Sequence, residues 1–258
     1  MRYDRLLEGK KAFVSSAGAG LGRAIAELFA RHGASVAFTD VDDGAGRETE
    51  QALRRWSPDS LYLHADMTDG AETEDACRET LNRLGRVDCL VNNAGAFRRA
   101  YLHETDTAEY ALVMQSNFLS AARCTQQFLP GMMQARGGAI VNISSDYTLG
   151  SVPGVGAYAA AKGALNAYGR AVAMDYSRWG IRCNNLLTGL NMGDVGETYL
   201  REIANLKAEI FRHTQPIPRR GSPEDAAAVA LFLASPMSQF MTGESIPVDG
   251  GITIQAHV

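Results

Sequence analysis

The chain has no apolar run approaching membrane-spanning length, and its opening Met1-Arg2-Tyr3-Asp4-Arg5 lacks the apolar core of a secretory signal. Cysteine is scarce. The four present (Cys77, Cys89, Cys124 and Cys183) include no C-x-x-C pair, and none lies near paired histidines, so neither a zinc site nor a redox pair is indicated. They read as reduced, mostly buried thiols. Neither sign of charge dominates: 25 basic against 29 acidic residues leave −4, with no basic stripe and no acidic tail. These absences predict a cytoplasmic protein that binds no nucleic acid, no membrane and no metal. What remains is an ordinary globular mix, 46% apolar and 21% charged, long enough at 258 residues to bury a core without covalent staples.

Short apolar runs alternate with amphipathic stretches along the whole length. Strands are predicted at Lys11–Ser15, Ser35–Thr39, Leu61–Ala65, Val87–Val91, Ala139–Ile143, Ile181–Leu186 and Ser245–Val248. The first helix, Leu21–His32, carries Leu21, Ile25, Leu28 and Phe29 at helical spacing, with Gly33 placed to stop it. Longer helices are expected around Glu109–Met133 and Tyr158–Arg178. Strands separated by helices imply βαβ crossovers and a parallel sheet covered on both faces, an α/β doubly wound, Rossmann-like fold. No repeat, low-complexity tract or linker interrupts the pattern. Thr188–Gly196 reads as irregular and Glu197–Arg212 as helix-like.

Between the first strand and first helix lies Ser15-Ser16-Ala17-Gly18-Ala19-Gly20-Leu21-Gly22. Glycines there let backbone N–H groups approach a pyrophosphate, and the helix N-terminus adds a favourable dipole. The plainer alternative is a tight strand–helix turn. Asp40 follows at the end of the second strand, where a carboxylate can accept hydrogen bonds from both ribose hydroxyls of an adenosine. Its alternative is a helix cap or a solvated acid beside Asp42 and Asp43.

Tyr158 and Lys162 form Y-x-x-x-K and share one face of a helix. A phenol loses its proton near pH ~10, too high for a base near neutrality. A neighbouring ammonium is expected to lower that value. Ser145 lies 13 residues before Tyr158, past the fifth strand, where its hydroxyl can donate to a substrate oxygen that gains charge. Each feature alone is common.

Together they resemble the short-chain dehydrogenase/reductase family over nearly the whole chain. The matching segments are the loop 16–22, Asn92-Asn93-Ala94-Gly95, Asn117, Ile143-Ser144-Ser145, Tyr158-Ala159-Ala160-Ala161-Lys162 and Val248-Asp249-Gly250-Gly251. The resemblance implies a seven-stranded parallel sheet in the order 3-2-1-4-5-6-7 and one dinucleotide-binding and catalytic domain over residues 1–258. It implies Tyr158 as general acid/base, Lys162 as the group that lowers its pKa and binds the nicotinamide ribose, Ser145 as the substrate-positioning group and Asn117 as the holder of a water linked to Lys162. Ser16, Gly20, Leu21, Gly22, Asn93, Ala94 and Gly95 would line the cofactor, and Asp66 with Met67 would meet the adenine. Two departures stand out. The usual Thr-Gly that opens the loop is Ser15-Ser16, and the usual Pro-Gly after the sixth strand is Thr188-Gly189, so Thr188 and Gly189 would meet the nicotinamide in altered form.

The expected activity is hydride transfer between NAD, chosen for Asp40, and a small polar alcohol or ketone. Arg98, Arg99, Asp146, Tyr147 and His213 are placed around the substrate, with 190–213 as a lid. A homotetramer is the expected assembly. A non-catalytic nucleotide-sensing protein on this fold is the first competitor, but all four catalytic positions are kept. An extended-type epimerase or dehydratase is the second, and it would carry a larger C-terminal substrate domain beyond Gly251.

Overall fold

Within each central strand, successive side chains part to opposite sides of the sheet, as a period of two requires. In a computed structural model that describes residues 4–189 and 215–255, Ala12 and Val14 of β1 (Lys11–Val14) join one buried cluster, and Phe13 between them joins another. In β2 (Ser35–Asp40), Val36 and Phe38 divide in the same way from Ala37. Both faces being apolar, both must be covered. On one face α1 (Gly20–Arg31) turns Ile25, Ala26 and Phe29 inward. It is flanked on that face by α2 (Asp43–Arg54), which buries Leu53.

On the other face, α3 (Gly70–Leu84) contributes Cys77. The chain then runs through α4 (Thr107–Met114) into α5 (Ser120–Ala135), which lays Cys124, Phe128 and Met132 on the same cluster. The rings of Phe13 and Phe128 meet at 5.1 Å. Burying each such ring contributes ~1.5–3 kcal/mol. Next, α6 (Gly156–Tyr176) adds Val172 and Ala173 to this face, while α7 (Pro223–Ala234) packs Ala226, Ala230 and Leu231 beside α1 on the first.

The sheet is completed by β3 (Leu61–His64), β4 (Cys89–Asn92), β5 (Gly138–Ser145), β6 (Ile181–Thr188) and β7 (Ser245–Val248). All seven strands are parallel in the order β3-β2-β1-β4-β5-β6-β7, the order the resemblance implies. The winding reverses between β1 and β4, so the loops leaving the carboxyl ends of those strands flank a crevice. A buried amide ladder pins the register of the other half. Asn92 donates to Asn142 at 2.8 Å, Asn142 to Asn185 at 3.0 Å, and Asn185 to Ser245 at 3.1 Å, each pair being directly opposed in the sheet. A one-residue slip would strand these amides without partners.

Several boundaries depart from the sequence expectations. The helix foreseen over 109–133 is two helices, α4 and α5, joined by a π-helical turn at Gln115–Leu119. Strand β1 ends at Val14, so Ser15 belongs to the loop, whereas β5 runs on through Ser145. Apolar periodicity did not mark α7; its start is a local signal, Ser222 before Pro223 in the first turn, with the Asp225 carboxylate accepting the Ser222 amide at 2.8 Å. The helix-like run 197–212 and the lid over 190–213 lie outside the described residues.

Candidate active site

The loop after β1 is sewn to its neighbours by short-range polar bonds. Ser16 donates its amide to Thr39 Oγ1 at 3.2 Å, Ala17 to the Thr39 carbonyl at 2.8 Å, and Gly18 to Asp40 Oδ2 at 2.8 Å. Ser15 has a role that the sequence reading missed. Its Oγ accepts the amides of both Asn93 and Ala94 at 2.9 Å, while Asn93 Nδ2 donates to the carbonyls of Ser15 and Ser16 at 3.1 and 2.7 Å. The loops on either side of the crevice are thereby one unit. Gly22 is required: a Cβ there would stand 2.3 Å from the Ser16 carbonyl oxygen. Ala19 caps α1 without any side-chain bond, leaving the first amides of the helix open toward the crevice. The loop therefore fits an anionic pyrophosphate.

Ser16 stands where the family has glycine, and its φ is +53°. A side chain in the left-handed region costs ~1–2 kcal/mol. Ser16→Gly is expected to stabilise the fold by about 1 kcal/mol, raising Tm by roughly 2–4 °C in thermal denaturation. An unchanged or lowered Tm would show that the serine relieves its own strain.

Asp40 ends β2 with both oxygens engaged, Oδ2 by the Gly18 amide and Oδ1 by the Asp42 amide at 3.1 Å. Asp66 spends Oδ1 on the Thr68 amide and hydroxyl, both at 2.8 Å, and Met67 turns its side chain into the core. Asp66 Oδ2 takes part in neither of these bonds, so it and the backbone of the pair remain to meet an adenine.

Ser145 is the last residue of β5, and a 3₁₀ turn, Asp146–Thr148, follows it. Tyr158 and Lys162 project from the first turns of α6, with Phe97 edge-on to the Tyr158 ring at 5.1 Å and Tyr147 at 6.5 Å. Lys162 is buried. Its Nζ donates to the Ile143 carbonyl at 2.8 Å and lies 5.7 Å from the centre of the Tyr158 ring. Desolvation brings its pKa down to about 8. Asn117 sits in the π-helical turn, a local rewinding often found at functional positions. Its Nδ2 donates to the carbonyls of Ala96 and Val113 at 2.9 and 3.0 Å, while its buried Oδ1 has no partner among the described residues. Gly95 admits this arrangement, since a Cβ there would stand 2.4 Å from Asn117 Oδ1 and 3.2 Å from Lys162 Nζ.

One electrostatic expectation is corrected. The Tyr158 phenol is not lowered but raised well above its ordinary value. Burial is the main cause, a hydrogen bond with Ser145 opposes it, and Asp146 and Tyr147 add to it. Lys162 spends its ammonium on the Ile143 carbonyl at the ring's face, not on the hydroxyl. As it stands, Tyr158 is an un-ionised proton donor at neutral pH.

Thr188 ties its hydroxyl to the Ser144 carbonyl at 3.1 Å, and Gly189 donates its amide to Val248 at 3.0 Å. A Cβ on Gly189 would strike Asp249 Cα at 2.6 Å. Arg98 and Arg99 are exposed, with Arg99 donating to the Pro153 carbonyl at 3.3 Å. His213 lies outside the described residues. No metal-holding cluster occurs among the described residues, and all four cysteines are free and buried.

Comparison with known proteins agrees with this geometry. A family described as enoyl-(acyl carrier protein) reductase matches residues 16–253. The chain is 35% identical to an L-fucose dehydrogenase of Mus musculus, covering 94% of this chain and 88% of that one. The solved short-chain dehydrogenase/reductase of Serratia marcescens superposes with a TM-score of 0.87 at 29% identity, over 96% of this chain and 99% of that one. A 3-oxoacyl (acyl-carrier-protein) reductase of Agrobacterium tumefaciens, solved with NADP bound, gives 0.90 at 30% identity, over 97% and 98%. The chain belongs to the short-chain dehydrogenase/reductase family, nicotinamide-dependent oxidoreductases that act on CH–OH groups.

Proposed function

We propose that residues 1–258 act as one dinucleotide-binding and catalytic unit, an NAD-linked dehydrogenase for a small polar secondary alcohol or its ketone, such as a polyol, sugar or hydroxy acid. The observation that carries this reading is one contiguous cluster: Lys162 and Asn117 meet at Gly95, the Lys162 ammonium lies over the Tyr158 ring, and the Tyr158 hydroxyl is hydrogen-bonded with Ser145. Ser16, Gly20, Leu21 and Gly22 would hold the pyrophosphate, Asp40 the adenosine ribose, and Asp66 with Met67 the adenine. Asn93, Ala94, Gly95, Thr188 and Gly189 would line the remainder toward the nicotinamide. The unpartnered Asn117 Oδ1 and the buried Lys162 ammonium suit a polar ligand at that wall.

When bound, the nicotinamide gives or takes the hydride. Tyr158 gives the substrate oxygen its proton in reduction and takes it back in oxidation. Ser145 holds that oxygen by a hydrogen bond as charge develops on it. Lys162 keeps a positive charge beside the Tyr158 ring, and Asn117 offers an acceptor through which a water could reach that ammonium. A polar substrate is favoured by Asp146 and Tyr147 beside Ser145 and by the likeness to an L-fucose dehydrogenase. Incubating the protein with NAD⁺ and a panel of sugars, polyols, hydroxy acids and steroids, and following reduced-nicotinamide absorbance, tests the reading. Turnover of a polar member is expected; turnover confined to steroids would overturn the substrate class, and none at all would favour a sensor.

A homotetramer in the cytoplasm completes the proposal. Met174 near the end of α6, Phe240 and Ile254 expose large apolar side chains, Phe240 wholly, and the family pairs through its two long helices and its C-terminal strand. No helix among the described residues is long and apolar enough to cross a membrane. Light scattering at micromolar concentration should give about four times the chain mass of 27.8 kDa, and a monomer mass would rule the assembly out.

A further inference from the structure

Beside Ser145 stands a carboxylate to which the hydride-transfer reading gives no part in the proton or hydride steps. Asp146 is buried, 5% exposed, at the carboxyl end of β5. Its Oδ1 accepts the Ser145 hydroxyl at 3.2 Å. The same Ser145 Oγ accepts the amide of Tyr147, also at 3.2 Å. A hydroxyl has one hydrogen and two lone pairs. With the hydrogen given to Asp146 and one lone pair taken by Tyr147, Ser145 keeps a single lone pair. In that state it can accept a hydrogen bond, from Tyr158 or from an alcohol, but it has nothing to donate to a carbonyl oxygen or a developing alkoxide.

We propose that Asp146 is a positioning residue that governs catalysis through Ser145: its ionised carboxylate competes with the substrate oxygen for the one Ser145 hydrogen, and its protonation releases that hydrogen to the substrate. The inference rests on the proposed role of Ser145 and adds to it a control that the four-residue constellation lacks.

The surroundings fit a carboxyl that changes charge in the working range. From β7's end Asp249 faces it with like charge, held there by the amides of Gly251 and Thr253 at 2.9 and 3.1 Å and by the Thr253 hydroxyl at 2.5 Å. From α6 the phenol of Tyr158 faces it, and Tyr147 lies beside it on its own turn. Asn166 of α6 meets the same turn, bonding Thr148 at 2.9 Å. Lys162 of α6 donates one ammonium hydrogen to the Ile143 carbonyl and does not enter the electrostatics of Asp146. No described cation is paired with Asp146. Burial, with repulsion from Asp249, pushes the Asp146 carboxyl up to about 6, against the opposing bond from Ser145. Below that pH it is neutral and the serine hydrogen is free; above it the carboxylate holds the hydrogen.

Forward and reverse reactions share one transition state, so the same factor enters kcat/KM for reduction and for oxidation. A bond to a charged acceptor exceeds a neutral one by an amount worth about tenfold in an equilibrium. Two measurements test the proposal. In the protein without substrate, carboxyl-¹³C aspartate labelling identifies the Asp146 signal by its loss in Asp146→Asn. Its midpoint should lie near 6 and rise in Ser145→Ala, which removes the donor that favours the ionised form. A midpoint in the ordinary carboxylate range, or one unmoved by Ser145→Ala, overturns the proposal.

In kinetics, the ratio of Asp146→Asn to wild-type kcat/KM should rise about tenfold from pH 5 to pH 8, with the fastest sugar or polyol of the panel. Taking the ratio cancels the pH dependence contributed by Tyr158 and by the reaction's own proton. A flat ratio, with Ser145→Ala inactive, overturns the control by Asp146 and leaves the role of Ser145 standing. Full activity in Ser145→Ala would instead remove Ser145 from the reading.

Discussion

Replacing Tyr158 by phenylalanine is expected to lower turnover by roughly 10²–10⁴-fold while leaving NADH affinity nearly unchanged. The geometry separates the two effects. The ring packs edge-on to Phe97 at 5.1 Å and beneath the Lys162 ammonium at 5.7 Å, and phenylalanine keeps both contacts. What it loses is the hydroxyl and its hydrogen bond with Ser145. That hydroxyl, held un-ionised by burial, would be the proton source for a substrate oxygen in reduction. NADH affinity measured by fluorescence titration, beside steady-state turnover, separates lost chemistry from lost binding. Near-normal turnover would place the acid elsewhere, and a matched loss of NADH affinity would show that the phenol serves the cofactor.

The second large effect is the choice of cofactor. NADP carries a phosphate on the 2′ oxygen where NAD has a hydroxyl, and in the proposed binding mode Asp40 would meet that hydroxyl. A carboxylate about 4 Å from one negative charge is disfavoured by ~4 kcal/mol at an effective dielectric near 20. Solvent and rearrangement reduce this to ~2–3 kcal/mol, a preference for NAD of roughly 30–150-fold. Asp40 has little freedom to retreat. The amides of Gly18 and Asp42 hold one oxygen each, and Gly18 approaches so closely that a Cβ on it would stand 2.8 Å from the carboxylate. The positions from which a compensating cation could reach hold Ala19 and Val41 instead, followed by Asp42 and Asp43. Arg47 lies in the first turns of α2, where it faces Asp43 and Tyr62.

The likeness to a reductase solved with NADP makes this a discriminating test. Comparing kcat/KM with the two cofactors should show the stated preference, and equal values or a preference for NADP would sink it. Asp40→Ala should narrow the ratio chiefly by admitting NADP. Since Asp40 also braces the loop through Gly18, only the ratio is informative, because a looser loop weakens both cofactors together. An untouched ratio would reduce Asp40 to a brace.

Much of this could be read in the sequence because it is written locally. Alternation such as Ala12-Phe13-Val14 states which side chain faces which layer, and Y-x-x-x-K places two groups on one helix face whatever else the chain does. The glycine loop, too, lies within eight consecutive residues. What stayed hidden depends on residues distant in sequence. Ser15 looked like a departure from a motif, yet it holds Asn93 and Ala94 from another strand's end. The π-helical turn at Asn117 leaves no mark in a periodicity broad enough to suggest one long helix. The phenol's direction of shift was misjudged because spacing shows that Lys162 is near Tyr158 but not how completely the fold buries the phenol. Asp146 was legible as a neighbour of Ser145; its raised pKa comes from burial in the folded chain, with Asp249, brought in by the last strand, adding to it.

The most direct test of the account is hydride transfer itself. Reduction of the ketone of the best substrate with NADH deuterated at the transferring carbon should deliver one deuterium to the carbinol carbon of the product, at a rate that falls by at least 10²-fold in Tyr158→Phe. Product without deuterium, or deuterium delivered at an undiminished rate by the variant, would contradict it.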